Sequence, residues 1–154
     1  MNIFLDTEFT DLFDTHLISL GMASEYGEEF YAEVPYPDHV CSAFVREVVI
    51  PLLGKIEHAF CTKDNLRVEI LKWLKIVRQG NEDVFICVDY QTDWDLFADA
   101  LDYRVPSWCH LKHVYDEVGE LLVYDFFKST GLPQHHALYD AQANRYAYRP
   151  KQQT

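Results

Sequence analysis

Residues 2–9 read Asn-Ile-Phe-Leu-Asp-Thr-Glu-Phe, and this stretch decides the fold class. Its first half is an unbroken apolar run, as a central strand covered on both faces requires. Its second half sets Asp6 and Glu8 two residues apart. On an extended chain those carboxylates point the same way and can share one cation. A charged pair beside a core is costly without a compensating partner. Taken alone, the D-x-E spacing favours the plainer reading of a turn after a strand.

Working outward, His16–Ala23 and Glu29–Val34 are strand-like runs, with Glu25–Glu28 as a hairpin turn between them. These three runs predict an antiparallel meander. Asp38 is a candidate N-cap for a helix to about Val49, stopped before Pro51, with Val40, Phe44 and Val48 on its apolar stripe. Thr62–Gln79 carries the strongest helical periodicity, and Gly80 closes it. Asp83–Asp89 is a second buried strand, and a helix opens at Thr92 or Asp93. A short strand over Cys109–Val114 and a helix over Asp116–Ser129 follow, and a last helix covers Ala137–Ala147. Strands first, then alternating helices and strands, predict an α/β fold: a mixed sheet of about five strands with helices on both faces. One domain over residues 1–149 is expected, with a loose tail at 150–154.

The chain has 154 residues, a net charge of −12 and 15% aromatic content. That charge argues against binding nucleic acid through a broad basic face. It leaves room for an enzyme that grips a strand end through cations, because two divalent ions add four positive charges where phosphates sit. Cys41, Cys61, Cys87 and Cys109 contain no C-x-x-C pair, so a zinc knuckle is not expected. No signal-like start and no membrane-length apolar run are present, and a reducing cytoplasm is the expected setting.

Two further places carry chemistry. Asp93 lies among Asp89, Asp95, Asp99 and Asp102. Asp95 and Asp99 lie opposite the Leu96, Phe97, Ala100 stripe, while Asp89 ends the apolar strand and is the real competitor. Local sequence alone makes Asp93 a helix N-cap. In the last helical region, His135, His136 and Asp140 cluster. Regular helix geometry pairs His136 with Asp140, whereas a helix starting after the histidines leaves both in a loop. A neutral imidazole there can take a proton from an attacking water.

Taken together, FLDTEF, TDWDLF and HHALYDAQ resemble the three motifs of the DEDDh exonuclease superfamily, which has a ribonuclease H-like fold. The resemblance is nearest to the short exoribonucleases of the mycobacterial type. It implies that Asp6, Glu8, Asp93 and Asp140 hold two divalent ions, Mg²⁺ or Mn²⁺, with His135, not His136, as general base. It further implies stepwise release of nucleoside 5′-monophosphates from the 3′ end of single-stranded RNA or DNA, RNA favoured, and admits a homodimer. Thr7, Phe9, Leu12 and Arg145 are candidates for substrate contact, Phe9 and Leu12 being equally suited to core packing. Lys72, Lys75 and Arg78 suit a solvated face better than a phosphate track. The chain departs from many relatives in having Phe9-Thr10 after D-x-E where they have Thr-Gly, and in lacking the His-Asn pair before Asp93. The competing expectation is a non-catalytic acidic partner that mimics nucleic acid.

Overall fold

A computed structural model describes residues 1–151. Five strands form one sheet in the order β3-β2-β1-β4-β5. They are β1 (Asn2–Phe9), β2 (Leu17–Ser24), β3 (Glu29–Glu33), β4 (Val84–Val88) and β5 (Cys109–His113). The first three pair antiparallel, turned at Gly27, whose φ of 108° suits glycine. β4 then runs parallel to β1, and β5 parallel to β4. The expected mixed five-stranded sheet is therefore the observed one.

Period-two alternation divides β1 between two faces. Ile3 and Leu5 join the main core with Leu66, Ile70 and Leu74 of α1 (Lys63–Val77) and with Leu96, Phe97 and Leu101 from α2 (Gln91–Ala100) and its C-terminus. Phe4 turns to the other face and packs with Cys87, Val114 and Tyr148. That second face is covered by α4 (Ala137–Ala147), with α3 (Glu120–Thr130) stacked on it. Thr62 caps α1 by accepting the Asn65 N–H, as its position before an amphipathic run suggests. Arg78, not Gly80, is the C-cap of α1.

The regular helix expected over Asp38–Val49 is not observed. The segment is a 3₁₀ turn at Asp38–Val40, an extended Cys41, a π-turn at Val45–Val49 and a second 3₁₀ turn at Ile50–Leu52. Pro51 has no N–H to continue an α-helical ladder, and its ring disfavours the preceding turn. Packing supplies the rest of the reason. The β1–β2 register shifts between Glu8 and Phe9, so Glu8 faces Ser19 while Phe9 faces Leu17. Ile18 falls at that irregularity and forms a separate apolar cluster with Cys41, Val45 and Val49. The helix expected from Asp116 likewise splits into a 3₁₀ turn at Tyr115–Glu117 and α3.

All four cysteines are free, and burial pushes the Cys87 and Cys109 thiols up to about 12. Among the described residues no helix is long and apolar enough to cross a membrane. Of the tail expected to be loose, Lys151 places its ammonium 3.3 Å from Asp116, and 152–154 lie outside the described residues.

Candidate active site

The C-terminal ends of β1 and β4 lie side by side because the strands are parallel, and the acidic residues gather there. Asp6 and Glu8 project from β1 toward α4. Asp93 comes from the first turn of α2, and Asp140 from the first turn of α4. Two groups of donor atoms result. Those of Glu8, His135 and Asp140 lie within 4.8 Å of one another, and so do those of Asp6, Asp89 and Asp93.

Each side chain is held by a local device. Asp93 is the third residue of α2 and not its N-cap, a position taken by Tyr90. Its Oδ1 accepts both the Thr7 N–H, at 3.0 Å, and the Thr7 hydroxyl, at 2.6 Å. Thr7 is buried on the opposite face of β1 from Asp6, so its hydroxyl fastens α2 to the sheet. Asp140 Oδ2 accepts the His136 N–H at 3.0 Å, tying the start of α4 to the turn before it. That turn needs His135 at a φ of 62°, a left-handed conformation in which histidine is several-fold enriched among non-glycine residues.

The two histidines have different surroundings. His135 is exposed, belongs to the Glu8–Asp140 group and packs edge-on against Phe44 with ring centroids 4.9 Å apart. His136 is 3% exposed and stacked between Tyr31 and Tyr139 at 4.5 and 4.0 Å. Burial pushes its imidazole down to about 4, so it stays neutral.

Helix α4 comes close to the sheet because the contact is made of small residues. Ala137 and Ala141 are fully buried, and Gly21 of β2 lies beneath them, directly across from Asp6. A Cβ on Gly21 would stand 2.3 Å from the backbone of Ala137 and Leu138.

Two cavities open on either side of Asp6 and Thr7. The larger, about 490 Å³, is lined by Asp6, Glu8, Asp89, Asp140 and His135 with Tyr115, Val118 and Val123. The smaller, about 240 Å³, is lined by Phe9, Leu12, Thr92 and Asp93, and Tyr90 borders both. Phe9 also packs against the main core, whereas Leu12 is 75% exposed. Arg145 lines neither cavity; its guanidinium bonds Glu29 at 3.0 Å and the Ser24 carbonyl at 3.3 Å. Arg78 stacks on Trp108, and Lys72 and Lys75 share its helix on the sheet face away from α4.

Sequence reading did not place Phe44, Asn144 and Gly21 at the site, and it weighed Asp89 only as a competitor of Asp93, whereas the structure brings both together. Asp89 carried the same signal as Asp6, a carboxylate ending an apolar strand. Gly21 carried another, a glycine inside a strand, which often marks close backbone approach.

Burial, followed by mutual repulsion, sets the electrostatics. Glu8 is pushed up to about 8, and Asp6 well above the carboxylate range, by desolvation and then by the neighbouring carboxylates. Desolvation also pushes Asp93 and Asp140 up to about 7, although the Thr7 hydroxyl and the His136 N–H respectively pull them down. Groups with raised values bind more protons folded than unfolded, so their stabilising effect is present at acid pH and lost as pH rises. In EDTA, the melting temperature should fall between about pH 4 and pH 8. Saturating Mn²⁺ should remove that fall. Melting that is flat or rising over this window in EDTA would contradict the crowding.

No protein-family model matches the chain, and no curated protein matches it in sequence. Solved structures do match in fold. The nuclease domain of 3′hExo, a DEDDh family member bound to rAMP, superposes with a TM-score of 0.62 at 13% identity, covering 99% of this chain and 96% of that one. A full-length 3′-exonuclease gives 0.55 at 11% identity, with 94% and 77% covered. Cell-death related nuclease 4 gives 0.52 at 14% identity, with 94% and 60% covered. The fold is ribonuclease H-like, shared with DEDDh nucleases.

Proposed function

We propose that this protein is a metal-dependent 3′–5′ exonuclease that removes nucleoside 5′-monophosphates from single-stranded nucleic acid, RNA ahead of DNA. The observation that carries the reading is convergence. Asp6, Glu8, Asp93, Asp140 and His135 come from β1, α2 and the turn into α4, and meet at one end of a nuclease-type sheet. An all-oxygen carboxylate set suits Mg²⁺ or Mn²⁺, and crowded carboxylates with raised proton affinity are what cations would relieve. Two such ions, when bound, supply Lewis acidity to the attacking and leaving oxygens of a phosphodiester.

The chain's own residues do the rest. Asp6 belongs to the group with Asp93 and lies close enough to Glu8 and Asp140 to be repelled by both, so it would be the carboxylate shared by the two ions. Exposed His135 takes the proton of the attacking water at an imidazole nitrogen, and Asp140 holds the turn that aims it. The scissile phosphate sits over Asp6, the terminal nucleoside against Phe9 and Leu12, and the preceding one in the larger cavity. Preference for RNA rests on the D-T-E-F likeness to the short mycobacterial-type exoribonucleases. The activity is assigned to one domain spanning residues 1–149.

The test is a denaturing-gel time course on 5′-labelled RNA and DNA of one sequence, with Mn²⁺, Mg²⁺ or EDTA. A metal-dependent ladder shortening from the 3′ end supports the proposal. Intact substrate in every lane, from folded protein, shifts the assignment to an acidic nucleic-acid mimic. In the same assay His135→Ala should slow hydrolysis about 10² to 10⁴-fold. His136→Ala should instead lower the melting temperature by emptying the Tyr31–Tyr139 sandwich. A silent His135→Ala beside an inactive, folded His136→Ala would exchange their roles.

A further inference from the structure

Asp89 follows β4 much as Asp6 stands near the end of β1. The strands are parallel, with Phe4 opposite Cys87, and two residues further along each stand Asp6 and Asp89. Alternation turns both toward the α4 face. Asp93 reaches the same point from α2, fixed by Thr7, and the donor oxygens of the three lie within 4.8 Å of one another. Burial is the largest influence on the Asp89 carboxyl and pushes it up, with the N–H groups of Asp89 and Tyr90 and the Asn144 amide pulling it part of the way back. Its Oδ1 is nevertheless closed off from solvent with no hydrogen-bond partner among the described residues. A buried carboxylate oxygen without a donor is costly. A cation lying between Asp6, Asp89 and Asp93 removes that cost.

We propose that Asp89 is a direct ligand of the cation that Asp6 and Asp93 hold. The inference rests on the reading of this site as a cation centre and adds a fifth carboxylate to the four named by the motifs. One position then has three protein carboxylates, Asp6, Asp89 and Asp93, while Glu8 and Asp140 serve the other with Asp6 shared between them. The chain accordingly holds two divalent ions before any nucleic acid arrives. The neighbouring Asp95 has no such role: it accepts the Gln91 amide on the exposed side of α2.

Calorimetric titration of Mn²⁺ into the EDTA-stripped full chain, without nucleic acid, tests this. Wild type should take up two ions. Asp89→Asn should keep one and weaken the other at least about 10-fold, since even indirect supports of a metal are worth that much. Asparagine is nearly isosteric and removes one charge from a crowded cluster, so the fold should persist. Asp89→Ser, which vacates the position, should lose the same ion, and Asp95→Asn should titrate like wild type. If both Asp89 variants titrate like wild type while Asp6→Asn loses ions, Asp89 is no ligand and the cation centre stands. If wild type itself takes up no Mn²⁺, both this inference and the proposed function fall.

Discussion

Asp6→Ala should lower the hydrolysis rate at least about 10³-fold, because in the proposed mechanism the Lewis acidity it would anchor lowers the barrier by several kcal/mol. The same substitution should leave the metal-free fold at least as stable as before. Asp6 is surrounded by Asp93, Asp140, Glu8 and Asp89, and its charge is opposed first by burial and then by each of them. Removing a repelled carboxylate stabilises the apo chain, while truncation to alanine leaves only a small void. The two effects separate function from folding in one variant. Melting in EDTA should be unchanged or raised, and Mn²⁺ should raise the melting temperature of wild type but not of the variant. An Asp6→Ala protein that degrades the labelled strand at the normal rate would remove the bridging role. One that melts far below wild type in EDTA would make Asp6 a structural residue.

The sequence made some of this site legible and hid other parts for identifiable reasons. Strands β1, β2 and β3, helix α1 and the bounds of α4 follow from periodicity, because each buries one apolar stripe or run. The 38–52 segment does not. Its apolar residues divide between Ile18's cluster and the exposed flank of His135, so no single helical face describes them. Asp89 and Asp93 show the limit of local reasoning. On sequence alone Asp93 resembles a cap, and only the Thr7 hydroxyl, 86 residues away, gives it another task. Asp89 is put beside Asp6 by parallel pairing of β1 with β4, which no spacing along the chain reports. Arg145 shows the converse. Its place one turn beyond Asp140 suggested contact with the nucleic acid, yet Glu29 on the edge strand β3 engages it.

Gly21→Ala should cost about 1–3 kcal/mol by overpacking. It should also lower activity about 10²-fold, the usual penalty for misplacing reacting groups by about 1 Å. The added methyl would meet the backbone of Ala137 and Leu138 at 2.3 Å, and a helix backbone cannot rotate aside as a side chain can. Relief requires α4 to lift from β2. Asp140 and the His135 turn move with it, because Asp140 is bonded to the His136 N–H, whereas Asp6, Asp89 and Asp93 stay on the sheet and α2. The Glu8–Asp140 side of the centre should therefore lose Mn²⁺ affinity while the Asp6–Asp93 side keeps it. Gly27→Ala is the control. Its φ of 108° strains any other residue, but nothing lies within 4 Å, so stability should fall with the rate constant unchanged. Equal activity in the two variants would mean that α4 is not seated through Gly21. Loss confined to Gly21→Ala would locate the catalytic geometry in the absence of one methyl group from the strand that faces Asp6.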